Sequence, residues 1–162
     1  MNVLTENSIP LDWDLAYVGL KNNWITPVEV AGAASNNQFK KAIDDEIIVL
    51  LEVKKDEPIS QFISIVERII KERNSLEVAE LDDKNAIQTW QLGFLLSIEK
   101  SKKSIKDKLN EIESLWARFD YPVSWEPFIY YLPAKKSDQI GEAAVYQSFR
   151  NYIVKEKAKP SL

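Results

Sequence analysis

The stretch PISQFISIVERII (58–70) decides how this 162-residue chain is read. A proline that has no N–H to lose opens it, and Ile59, Phe62, Ile63, Val66, Ile69 and Ile70 follow at i, +3, +4, +7, +10 and +11. That period puts one apolar stripe along a helix. The same reading extends outward. Downstream, Ala86 to Ile98 is apolar nearly all round and predicts a central helix, in which Gly93 allows a close crossing. Ile105, Leu109, Ile112, Leu115, Trp116 and Phe119 form another stripe, which must end by Tyr121-Pro122 because the residue before a proline avoids the helical region. A last helix is expected from about Ser137 to Lys155, burying Val145, Tyr146, Phe149, Tyr152 and Ile153.

Upstream, Leu11 to Leu20 predicts a short helix ending near Lys21-Asn22-Asn23. Thr26-Pro27-Val28-Glu29 then combines a capping threonine, a first-turn proline and a glutamate able to reach back to the cap. This helix should stop at Ser35-Asn36-Asn37. The run Ile47 to Leu51 reads equally as a buried strand or a buried helix. The acids Asp44, Asp45 and Glu46 before it and Lys54 and Lys55 after it suit the two ends of a helix dipole. The expected fold is therefore all-α, a single-domain bundle of about six to seven helices over residues 1–162, with residues 1–10 and 157–162 frayed. At this length a chain buries roughly 70% of its unfolded surface and folds without staples.

Composition narrows the chemistry. The chain has no histidine and no cysteine, so Ser–His–Asp triads, Cys–His pairs and Cys/His zinc sites cannot be assembled within it. Its four glycines, Gly19, Gly32, Gly93 and Gly141, are too far apart to cradle a phosphate. No cofactor is expected, and catalysis is the less favoured reading. No stretch approaches eighteen uninterrupted apolar residues and the amino terminus is unlike a signal peptide, so a cytoplasmic protein with no membrane partner is expected.

Net charge is −4, unevenly spread. Residues 1–99 hold 9 Lys/Arg against 17 Asp/Glu, a balance of −8, and residues 100–162 hold 12 against 8, a balance of +4. The acids Asp44, Asp45, Glu46, Asp56, Glu57, Asp82 and Asp83 read first as helix starts, where negative charge is stabilising, and Glu77 and Glu80 complete the acidic clusters. Taken together they are candidates for an anionic face toward a basic protein partner. Their spacing matches no calcium loop. Lys100, Lys102, Lys103, Lys106 and Lys108, with Lys135 and Lys136, read as a solvated face, since no aromatic alternates with them and the chain is acidic; nucleic acid is not an expected partner.

The most distinctive local feature is the proline-bracketed aromatic segment 121–133. It predicts a short helical turn docking Trp125, Phe128, Ile129 and Leu132 on the core. The competing reading places Trp125, Tyr130 and Tyr131 on a binding surface.

Three stretches together, LDWDLAYVGLK (11–21), WITPVEV (24–30) and WARFDYPVSWEPFIYYLP (116–133), resemble the bacterial domain of unknown function numbered 2247. Leu132 stands where a methionine often precedes the final proline in that family, a change conservative for packing. The resemblance implies a small all-helical bacterial protein without assigned catalytic residues, and such families resemble the immunity proteins encoded beside polymorphic toxins. The functional expectation is an intracellular protein-interaction module, concretely an immunity-type inhibitor of a basic toxin domain. The alternative is a carboxylate-based or metal-dependent hydrolase.

Overall fold

In the computed structural model, which describes residues 2–36, 38–39, 58–74, 83–130 and 141–159, the sequence stripes become helices. They are α1 (Val3–Glu6), α2 (Trp13–Lys21), α3 (Pro27–Ser35), α4 (Ile59–Asn74), α5 (Asp83–Lys100), α6 (Ile105–Arg118) and α7 (Glu142–Lys157). A 3-10 helix, Val123–Phe128, lies between α6 and α7. Among the described residues the only extended pairing is an isolated parallel bridge between Leu11 and Phe39, so the fold class is all-α. The run Ile47 to Leu51 lies outside the described residues.

By its contacts the chain divides into two compact units, Met1–Gly93 and Phe94–Leu162. In the first, the expected capping box starts α3. The Thr26 hydroxyl accepts from the Glu29 backbone N–H at 3.3 Å, and the Glu29 carboxylate accepts from the Thr26 N–H at 3.0 Å. Burial pushes the Glu29 carboxyl up, but hydrogen bonding, that of the Thr26 backbone first, and nearby positive charge leave the group below its ordinary value.

Helix α2 packs on α4, with the Tyr17 hydroxyl donating to Glu67 at 2.8 Å. Phe62, Val66, Ile69 and Ile70 of the α4 stripe are buried, while Ile59 at its start is exposed. The Trp90 ring of α5 lies against α2 at Gly19, and its indole N–H donates to the Leu15 carbonyl at 3.0 Å. A Cβ at Gly19 would stand 2.4 Å from Trp90 Cζ2 and 2.7 Å from Ile25 Cγ2. Glycine is what lets the indole reach the backbone.

The amino terminus differs from the frayed segment expected. Asn2 caps α1 by accepting from the Leu4 and Thr5 backbone N–H groups, and Leu4 is fully buried. Leu4 fills the space over Gly93, where a Cβ would stand 2.6 Å from Leu4 Cδ2, and Asn7 donates to the Gly93 carbonyl. The close approach expected at Gly93 is therefore made by this short turn.

In the second unit, α6 covers the expected residues, burying Leu109, Ile112 and Trp116. Helix α7 begins at Glu142, later than the expected Ser137, because Gly141 has φ +116° and a helix cannot run through that conformation. Phe149 and Ile153 form its buried line, with Tyr146 and Tyr152 only partly covered.

Three helices end in the same way without glycine. After α1, α2 and α6, Ser8, Asn23 and Asp120 take left-handed φ values of 60°, 56° and 57°. The following residue then donates back five positions: Ile9 to Leu4, Trp24 to Gly19 and Tyr121 to Trp116. This is the Schellman closure, which satisfies the last carbonyls.

Candidate functional site

The segment 119–130 is built from the end of α6 outward. Tyr121 closes α6 and sets its ring edge against Trp116, with centroids 4.9 Å apart at 86°. The Trp116 indole N–H donates to the Pro122 carbonyl at 3.1 Å, tying the chain that leaves the helix back to it. Tyr121 itself has φ +56°, so Asp120 and Tyr121 are consecutive left-handed residues. The closure requires only the first of these, and for residues with a Cβ each costs about 1–2 kcal/mol.

The 3-10 turn then sorts its side chains by face. Trp125 is 0% exposed, and Phe128 and Ile129 are buried beside it. Trp125 stacks between Phe119 and Phe128, and Phe128 meets Phe149 and Tyr152 of α7 at 5.7 and 5.1 Å. Buried rings of this size contribute about 1.5–3 kcal/mol each. Unlike Trp116, the Trp125 indole N–H meets no hydrogen-bond acceptor among the described residues. On the outer side, Val123 is 74% exposed, Tyr121 54% and Tyr130 49%.

The two readings of this segment thus divide residue by residue. Trp125, assigned to the core by the first reading and to the surface by the competing one, is a core anchor with Phe128 and Ile129, because the turn sends it inward. Tyr130 is at the surface. Tyr131 and Leu132 lie outside the described residues. Tyr121 and Val123, the most exposed apolar side chains of the segment, were not among the expected contacts. The signal available for them was their position on either side of Pro122, where the chain turns away from α6.

Of the acidic candidates, Asp44, Asp45, Glu46, Asp56, Glu57, Glu80 and Asp82 lie outside the described residues, and Asp83 is the first residue of α5. Among the described residues no group of three or more acids is placed to hold a metal ion. The lysine run is not one solvated face. Lys108 is 8% exposed and donates to the Glu99 carbonyl at 2.8 Å, capping the carbonyl end of α5, with the Tyr146 hydroxyl at 3.4 Å. Lys103 pairs with Glu111, while Lys135 and Lys136 lie outside the described residues. The Glu99 carboxylate faces Arg150 and Lys157 at 3.8 and 4.0 Å.

A family described as an uncharacterized protein conserved in bacteria (DUF2247) matches residues 1–157. The chain belongs to this family. No curated protein and no solved structure matches it. Among the described residues no helix is long and apolar enough to cross a membrane.

Proposed function

We propose that this chain is a cytoplasmic protein-binding module that acts as an immunity-type inhibitor of a basic toxin domain. The observation that carries the reading is the two-sided segment 119–130. Buried Trp125, Phe128 and Ile129 fix it on the core, and Tyr121, Val123 and Tyr130 are left at the surface. Large amphipathic side chains held in place before binding lose little entropy when a partner docks, which is what interface hot spots require. The charged residues of this segment are Asp120 and Glu126, both acidic. These two acids favour a basic partner, since complementary charge speeds encounter and discourages wrong partners. The inhibitor role draws on the likeness of such small helical bacterial families to immunity proteins.

The test is capture of partners by the tagged protein in its native host, washed at low and at high salt. The reading expects one stoichiometric basic protein, released more readily as salt rises, whose own activity falls when the chain is added back. An acidic partner, or a basic partner with undiminished activity, would contradict the inhibitor reading.

A further inference from the structure

Three features of the segment 119–130 act in one direction. Its entry holds two successive left-handed residues, Asp120 and Tyr121, neither of them glycine. Such residues occupy a shallow well, and extended backbone is the lower alternative open to both. Its middle is a 3-10 turn containing Pro127, which supplies no N–H, and its remaining backbone bonds include Trp125 N–H to Pro122 at 3.0 Å and Ile129 N–H to Glu126 at 3.2 Å. Beneath it lies a fully buried indole whose N–H meets no acceptor among the described residues, and which would gain one on reaching water or a partner carbonyl. Against these stand the burial of Trp125, Phe128 and Ile129 and the hydrogen bond from the Trp116 indole to the Pro122 carbonyl.

The geometry points to a hinged strap. Residues 122–130 open about Asp120 and Tyr121 while α6 and α7 stay folded, bringing the Trp125 indole out of the core as a ring and a hydrogen-bond donor. The closed strap is held by packing and by bonds such as that from the Trp116 indole, and the strain at its hinge and the indole N–H that meets no acceptor among the described residues narrow the gap to the open form. This goes beyond the proposed binding role and is a property of the free protein, so it stands or falls without any partner.

Hydrogen exchange followed by NMR on the nitrogen-15-labelled full chain reads the opening directly, because indole N–H signals resolve from backbone amides. The strap predicts that the Trp125 indole N–H and the Trp125 and Ile129 backbone amides exchange together, about a hundredfold faster than the Phe149 amide in the middle of α7. Asp120→Gly, which relieves one hinge residue, should slow all three together. Trp116→Phe, which keeps a ring and removes the tether, should speed them about fivefold relative to Phe149, the factor expected for one hydrogen bond. Exchange of the three protons at the Phe149 rate would overturn the strap. So would an indole that exchanges fast while the two backbone amides do not, since that result describes water reaching one atom and not a segment opening.

Discussion

Trp90 and Trp125 are both fully buried, yet the molecule treats them differently. Around Trp90 the backbone is shaped to receive the ring: Gly19 is bare where the indole lies, and the Leu15 carbonyl accepts its N–H. Around Trp125 the ring lies between Phe119 and Phe128 while its N–H meets no acceptor among the described residues, and the chain leading to it passes through two strained residues. Burial is equal and satisfaction is not. The contrast separates a ring whose surroundings accept it from one around which some stability is forgone, and the second lies in the segment with Tyr121, Val123 and Tyr130 at its surface.

The largest expected effect comes from removing the fit at Trp90. Gly19→Ala should destabilise the protein by about 3 kcal/mol in urea unfolding, because two side chains at under 3.0 Å must move. Gly32→Ala is its control. Nothing lies within 4 Å of a Cβ there, so the helix preference for alanine should stabilise by up to about 1 kcal/mol. Equal effects at the two glycines would remove the special fit claimed for Gly19.

Replacing each tryptophan with phenylalanine sharpens the comparison. Trp90→Phe loses both ring volume and the bond to Leu15, and should cost about 2–3 kcal/mol. Trp125→Phe loses ring volume but also removes a buried donor without an acceptor, so its cost should be smaller by about 1–2 kcal/mol. Matching losses in thermal or chemical unfolding would show that the Trp125 N–H is as well satisfied as that of Trp90.

Helix ends give a smaller effect. Asn23→Gly and Ser8→Gly should each stabilise by about 0.5–1 kcal/mol, since glycine enters the left-handed region without a Cβ penalty. No gain at either would mean that the side chains there repay the backbone cost.

The smallest effect is a pH dependence at Glu29. Its folded value is depressed below 4.5, so the stability it contributes is present above that pH and is lost as pH falls through the folded value. Glu29→Gln should flatten that part of the acid limb and lower neutral-pH stability by about the amount the wild-type chain loses there on acidification. A steeper acid limb in the variant would reverse the assigned direction.

Much of this organisation is legible in the residues. The stripes of α4 and α6 and the capping box at Thr26 carry their own geometry, because helical period and capping chemistry are local. The ends of α2 and α6 are legible at Lys21-Asn22-Asn23 and before Pro122, but their left-handed closure is not, since the usual glycine marker is replaced after α1, α2 and α6 by Ser8, Asn23 and Asp120, which tolerate that region only at a cost. The order at the amino terminus depends on Leu4 meeting Gly93, a contact 89 positions away that no local pattern announces. Within the aromatic segment, the residues supported docking of Trp125, Phe128 and Ile129 on the core but left open the opposite direction for Trp125. Its direction is set by the 3-10 repeat of three, which brings Trp125 and Phe128 to one side.

The measurement that bears most directly on the binding account is partner capture by a Val123→Asp variant beside the wild-type chain, with both melting curves recorded. Val123 is largely exposed, so the variant should melt within about 2 °C of wild type, as surface substitutions do. Loss of the basic partner at an unchanged melting temperature is the predicted result. Full retention of that partner by an equally stable variant would contradict the assignment of this surface.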